Sequence, residues 1–155
     1  MDRSIIERYA SGADAVSESV RGLTDAQAAS HPVPGKWSVR QLAVHLLDSD
    51  LVASDRMKRI AAEERPLLMG YDENRWLSRL PIDRLNLTEV GEAFALNRRI
   101  TAALLRGLED SDFDRVGVHS ERGIVTLAGL VTGYIEHLDG HLIHMRAKLE
   151  RLKAR

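Results

Sequence analysis

Apolar side chains recur along this chain at steps of three and four residues in four separate runs, the spacing of amphipathic helices packed on a common core. The first run begins near Ser4 and carries Ile6, Tyr9, Ala13, Val16, Val20 and Leu23. It predicts one helix closed by Gly22 and Thr24. Thr24 caps a short helical turn over 24–29, ahead of the broken stretch His-Pro-Val-Pro-Gly at 31–35. The second helix starts at Ser38, with Gln41 as its capping-box partner. Leu42, His45, Leu46, Val52, Met57 and Ile60 share its broad apolar face, and the helix ends before Pro66.

Residues 66–87, with Pro66, Gly70 and Pro81, read as a long connection holding a short helix over 73–79. A connection of that length lets the next helix run parallel to the second. Thr88 is the expected N-cap of the third helix, whose stripe is Val90, Phe94, Asn97, Ile100, Leu104 and Leu108. The acidic, polar segment 109–123 reads as a loop. Thr126 then opens the fourth helix, with Leu127, Leu130, Tyr134, Leu138, His141, Met145, Leu149 and Leu152 as its stripe. No stretch alternates convincingly as a strand, and nothing repeats. The expectation is an all-α fold in one domain over residues 1–155.

Composition mostly excludes. A chain of 155 residues builds one hydrophobic core, and 44% apolar with 29% charged residues is the balance of a soluble globular protein. Lys plus Arg (22) nearly cancels Asp plus Glu (23), so charge gives no reason to expect a nucleic-acid or membrane-surface partner. The C-terminal group Arg146, Lys148, Arg151, Lys153 and Arg155 is interrupted by Glu150 and reads as a solvated helix face. The N-terminus lacks the apolar core of a signal peptide, and no run approaches membrane-spanning length, so a cytoplasmic protein is expected. Cysteine is absent, which excludes disulfides, thiolate ligands and a cysteine nucleophile. Any thiol chemistry would use a thiol supplied from outside.

The histidines change the picture. His137 and His141 are spaced i, i+4 on the fourth helix and project from one face. His45 lies on the apolar stripe of the second helix, so neighbouring helices would bring three imidazoles together. Three neutral nitrogen ligands leave coordination positions open, the pattern of catalytic rather than structural metal sites. Zn, Ni, Fe and Mn all accept imidazole, and ligand type does not choose among them. A His on an apolar face is more often a core residue, and an HxxxH pair alone is common by chance. Leu138 after His137 removes the HExxH protease reading. His144 shares roughly the same face and reads as an outer or surface residue, with replacement of His137 as the alternative. Asp48, i+3 from His45, is the candidate carboxylate for orienting that ligand or acting as a base. Asp139 and Glu136 should face solvent, and His31 and His119 have no partner at helical spacing.

The segment GKWSVRQLAVHLLDSD (35–50) resembles the DinB-like family's motif of a Trp, a capping Ser or Thr and a His on the second helix. TLAGLVTGYIEHLDGHLIHMRAKL (126–149) resembles the family's last helix, a Thr start followed by HxxxH. YDENRW (71–76) and LNRRITAALLRGL (96–108) look like its connection and third helix. The resemblance spans nearly the whole chain. It implies a four-helix bundle with up-down-down-up arrangement, often dimeric, with a metal on His45, His137 and His141. It also implies activity on a small-molecule substrate: relatives include thiol S-transferases using low-molecular-weight thiols and metal-dependent hydrolases. In the transferase reading, favoured here, a divalent metal activates an external thiol. In the hydrolase alternative it activates water, with Asp48 as base. Two further readings are a non-enzymatic metal-binding or stress-induced protein, and a plain structural bundle. Trp37 would anchor the start of the second helix. Tyr71 and Trp76 would line the pocket mouth or plug the bundle end, and Arg98 and Arg99 would meet an acidic ligand group or form surface ion pairs.

Overall fold

The computed structural model describes residues 2–154. The helices are α1 (Ser4–Ser11), α2 (Ala15–Val20), α3 (Asp25–Ala29), α4 (Val39–Ala62), α5 (Glu73–Arg79), α6 (Leu87–Arg106) and α7 (Leu127–Lys153). Among them lie the short strands β1 (Leu67–Leu68), β2 (Val116–His119) and β3 (Gly123–Thr126). The expected capping boxes form at Thr24 with Gln27 and at Ser38 with Gln41, and Thr126 accepts a hydrogen bond from the Gly129 N–H. Each satisfies a backbone donor that has no partner inside its own helix. No helix among the described residues is long and apolar enough to cross a membrane.

Helix directions follow from which apolar residues meet. One cluster joins Ile6, Ile60, Leu105 and Leu130; the other joins Val20, Val39, Val90 and Met145. The α1–α2 segment and α7 therefore run from the first end to the second, while α4 and α6 run the opposite way. Arg40, near the start of α4, donates to the Leu85 carbonyl just before α6, as that parallel pairing requires. Arg3 donates to the Arg106 carbonyl, where α1 begins and α6 ends. The result is an up-down-down-up four-helix bundle.

Four local expectations are corrected. The first helix is two helices, broken at residues 12–14. A Cβ on Gly12 would lie 2.5 Å from Leu138 Cδ2 and 2.7 Å from Arg98 Nη1, so the chain there makes room for α6 and α7. Asn86 rather than Thr88 caps α6; its side-chain oxygen accepts from the Thr88 and Glu89 N–H groups. The loop expected over 109–123 contains β2, which pairs parallel with β1 and antiparallel with β3. Gly117 is required in that small sheet, because a Cβ would lie 2.9 Å from Leu68 Cδ1 and 3.1 Å from Ile60 Cγ1.

The fourth correction concerns α6. Its buried face is Val90, Phe94, Ala95, Arg98, Thr101, Ala102 and Leu105, while Ile100 and Leu104 are exposed together with Leu96. The face is rotated because Arg98, only 2% exposed, occupies the centre of the core. Its Nε donates to Asp50 Oδ1 at 2.8 Å, and its Nη groups donate to the carbonyls of Tyr9 (3.1 Å) and Tyr134 (3.0 Å). Asp50 also accepts from the Asn97 amide and the Tyr9 hydroxyl. The guanidinium stacks over the Tyr9 ring at 4.3 Å and the Phe94 ring at 5.0 Å. One side chain of α6 thus ties α1, α4 and α7. Removing one member of a buried, fully bonded charge pair leaves the other uncompensated. Arg98→Ala should lower the unfolding free energy by about 3–5 kcal/mol in urea titration, whereas exposed Arg99→Ala should change it by less than about 1 kcal/mol. Equal effects would show that the buried pair has no special role.

Candidate metal centre

The capping box at Ser38 sets the phase of α4 so that His45 points into the bundle, where it is buried. His137 and His141 meet it from successive turns of α7. The ring centroids are 5.2 Å apart for His45 and His137, 4.8 Å for His45 and His141, and 4.5 Å for His137 and His141. One ligand nitrogen from each lies within 4.8 Å of the others. His45 Nε2 and His137 Nε2 are 3.2 Å apart. Two zinc–nitrogen bonds of about 2.0–2.1 Å at a tetrahedral angle separate their nitrogens by about 3.3 Å, so this pair is already at chelating distance.

The electrostatics suit a ligand set. Burial, then the field of His141, lowers the pKa of His45 to about 4. Burial, then His141 and His45, lowers that of His137 to about 3. His141 is lowered by burial and by His144. All three are therefore neutral at pH 7 and offer lone pairs. Trp37, which joins the apolar cluster at that end of the bundle, also lies against the site, with its ring 4.9 Å from His45 and stacked on His141 at 6.2 Å and 17°.

The other expected residues divide. His144 is exposed, its ring 6.4 Å from that of His141, and stands outside the three-histidine group. His31 is exposed, its Nδ1 bonded to the Lys36 carbonyl. Asp139 and Glu136 face solvent. Arg98 lies in the core and Arg99 pairs with Asp14 at the surface, so neither lines the site's cavity. The structure does not bring Asp48 to the histidines: His45 Nδ1 has no hydrogen-bond partner among the described residues. Asp48 instead lines a neighbouring cavity of about 580 Å³ with Val52, Asp55 and Trp76. The carboxylate whose charge acts on His141 is Glu73, at the first turn of α5. Only its place at the head of the short helix predicted over 73–79 could have drawn attention to it.

The three histidines sit at one end of a cavity of about 640 Å³ that follows the α4–α7 groove to the β2–β3 hairpin. Gly129, Gly133, His137 and His141 line it from α7 at one-turn spacing. A Cβ on Gly133 would meet nothing within 4 Å, so the glycine keeps that wall open. Tyr71 lines the cavity too, and Trp76 packs on its ring from the far side, with centroids 4.6 Å apart. Sequence reasoning missed His119, which is 4% exposed on β2 and lines the hairpin end. Its helical-spacing criterion could not find a strand residue.

A four-helix bundle of this topology with three convergent imidazoles beside an open cavity defines a class of α-helical proteins with a candidate metal centre. Residues 8–145 match the family model of the DinB superfamily, and the chain belongs to that superfamily. "Putative metal-dependent hydrolase OB0782" of Oceanobacillus iheyensis is 35% identical over 122 residues, 76% of this chain and 67% of the relative. Bacillus subtilis YfiT, a relative of similar name, is 30% identical over 141 residues, 88% of this chain and 78% of its own. The solved structure of YfiT, described as a probable metal-dependent hydrolase with an unusual four-helix bundle topology, superposes with a TM-score of 0.87 at 28% identity, covering 97% of this chain and 86% of that one. A DinB-like protein of Bacillus subtilis, YjoA, shares the fold alone, with a TM-score of 0.70 at 15% identity, covering 97% of this chain and 93% of that one.

The lowered histidine pKa values give a signed prediction for metal-free protein. The native pKa of His45 and His137 lies below the ordinary 6.5, so the unfolded chain binds more protons below that pH. Their contribution is present above about pH 6.5 and lost progressively as pH falls toward about 4. The melting temperature of chelator-treated protein should drop between about pH 7 and pH 5, and a His45→Leu/His137→Leu variant should drop less. Parallel curves for the two would contradict the electrostatic account.

Proposed function

We propose that this chain is a metal-dependent enzyme acting on a small molecule, with one divalent ion on His45, His137 and His141. The observation that carries the reading is three neutral imidazoles within ligand distance of one another at the end of an open cavity. A divalent ion held there would supply the Lewis acidity that makes water or a thiol nucleophilic near neutral pH. The chain's own residues do the rest. Trp37 shields His45 and His141 on one side, and Gly133 leaves space for substrate opposite α4. Glu73, which lines the cavity and whose charge acts on His141, is the carboxylate assigned here to accept the nucleophile's proton. Asp48, lining the other cavity, is not assigned that role.

Water as nucleophile gives a hydrolase, the activity for which OB0782 and YfiT are named. A low-molecular-weight thiol gives an S-transferase. The cysteine-free sequence agrees with a thiol supplied from outside and fits a hydrolase equally, and the cavity of about 640 Å³ lies within the range that holds drug-sized ligands for either reaction. Zn, Ni, Fe and Mn remain the candidate ions, because the donor set suits each of them.

Untagged protein should contain about one transition-metal ion per chain by elemental analysis, and His45→Ala and His141→Ala should each abolish it. Absence of metal in the parent, even after addition of Zn, Ni or Mn, would overturn the reading. Ester or amide turnover in thiol-free buffer identifies the hydrolase; turnover of an electrophile only on addition of a thiol identifies the transferase. In either case Glu73→Gln should retain the metal and lower kcat about 100-fold or more. Unchanged kcat would remove Glu73 from the mechanism.

A further inference from the structure

The hairpin end of the cavity is lined by Arg122, Arg56, Tyr134 and His119. Arg122, in the β2–β3 turn, lines the cavity and its side chain makes no ion pair or hydrogen bond among the described residues. Arg56, on α4, is 6% exposed and is fixed by Nη1 donating to the Tyr134 hydroxyl at 2.8 Å and by Nη2 donating to the Met69 carbonyl. Its Nε is buried with no partner, an unusual state for a guanidinium N–H.

Two neutral groups complete the set. The Tyr134 oxygen accepts from Arg56, which leaves its own proton free to be donated elsewhere. His119 Nδ1 accepts from the Glu121 N–H at 3.2 Å, which fixes the tautomer with the proton on Nε2. Burial, then the charges of Arg56 and Arg122, hold the His119 pKa below its usual value, so both cations act on the same spot. The N-terminus of α7, beginning at Leu127, adds its positive end from the same side. Glu121 lines this end as well, exposed like Arg122; its carboxylate packs against Gly70 and acts on His119 in the sense opposite to the two cations.

We propose that this pole is an anion subsite that seats a carboxylate of the substrate, with Arg122 as the forked partner and Tyr134 and His119 as flanking donors. One unpaired guanidinium calls for one negative charge, and its planar fork matches a carboxylate bidentately. Tyr134 stands one turn of α7 before His137, its ring 6.0 Å from that imidazole. The substrate class is therefore a small acid, its carboxylate toward the hairpin and its reacting group at the imidazoles. The placement of the reacting group rests on the metal-enzyme reading above; the anion subsite itself does not.

The test titrates 4-phenylbutyrate and its uncharged analogue 4-phenylbutyramide into zinc-treated and chelator-treated protein, with binding read by calorimetry. The parent should bind the carboxylate at least about tenfold more tightly than the amide in both preparations. Arg122→Gln, a change at an exposed turn, should abolish that preference, and Arg146→Gln, an equal loss of charge at an exposed site on α7, should keep it. A preference that survives Arg122→Gln, or none in the parent, overturns the subsite. A preference present only in zinc-treated protein also overturns it, by placing the carboxylate on the ion. If the protein takes up no zinc, the metal reading fails while the chelator-treated arm still decides the subsite.

Discussion

The buried pair of Arg98 and Asp50 holds this bundle in register. A guanidinium at 2% exposure is stable there only because all of its directions are answered: a carboxylate on α4, carbonyls on α1 and α7, and aromatic faces beneath it. The apolar faces alone would tolerate small slides of one helix on another. A bonded charge in their midst does not, because any slide leaves it uncompensated. Asp50 follows His45 by five residues and Tyr134 precedes His137 by three. The network therefore clamps α4 against α7 about one to one and a half turns from the imidazoles, where a shift of an ångström would matter to ligand geometry.

From that clamp the site follows. Burial that stabilises the bundle also strips protons from His45 and His137, so the packing that positions these imidazoles also keeps their lone pairs free. Glycines at 129 and 133 then withhold side chains from the same helical row, turning what would be a filled groove into a cavity. The β-hairpin closes its far end with Arg122, His119 and Glu121. Neutral nitrogen lone pairs gather at one end of the cavity, and two guanidinium groups, an imidazole, a phenol and one carboxylate at the other.

Much of this was legible in the residues. Capping boxes at Thr24 and Ser38, the short helix over 73–79 and the Thr126 cap are local signals, and local chemistry decided them. His45, His137 and His141 stood out because helical spacing and the family resemblance selected the same three, and the structure brings them together. The misses have physical causes. The rotated face of α6 was hidden because an arginine was read as surface, and only its distant partner Asp50 makes it a core residue. The hairpin strands are four residues each, too short for alternation to show, and their pairing with Leu67–Leu68 depends on contacts remote in sequence. Asp48 satisfied the helical spacing rule for a partner of His45, yet its side chain lines the neighbouring cavity; Glu73, from a separate element, lines the histidine cavity instead.

Three imidazoles from two helices are the proposed protein ligands of one ion, and X-ray absorption at the metal edge of zinc-reconstituted protein reads that ligand set. The predicted spectrum has nitrogen or oxygen scatterers near 2.0–2.1 Å with the outer-shell pattern of about three imidazole rings. A shell of oxygen scatterers without imidazole features, unchanged in His45→Ala, would contradict it.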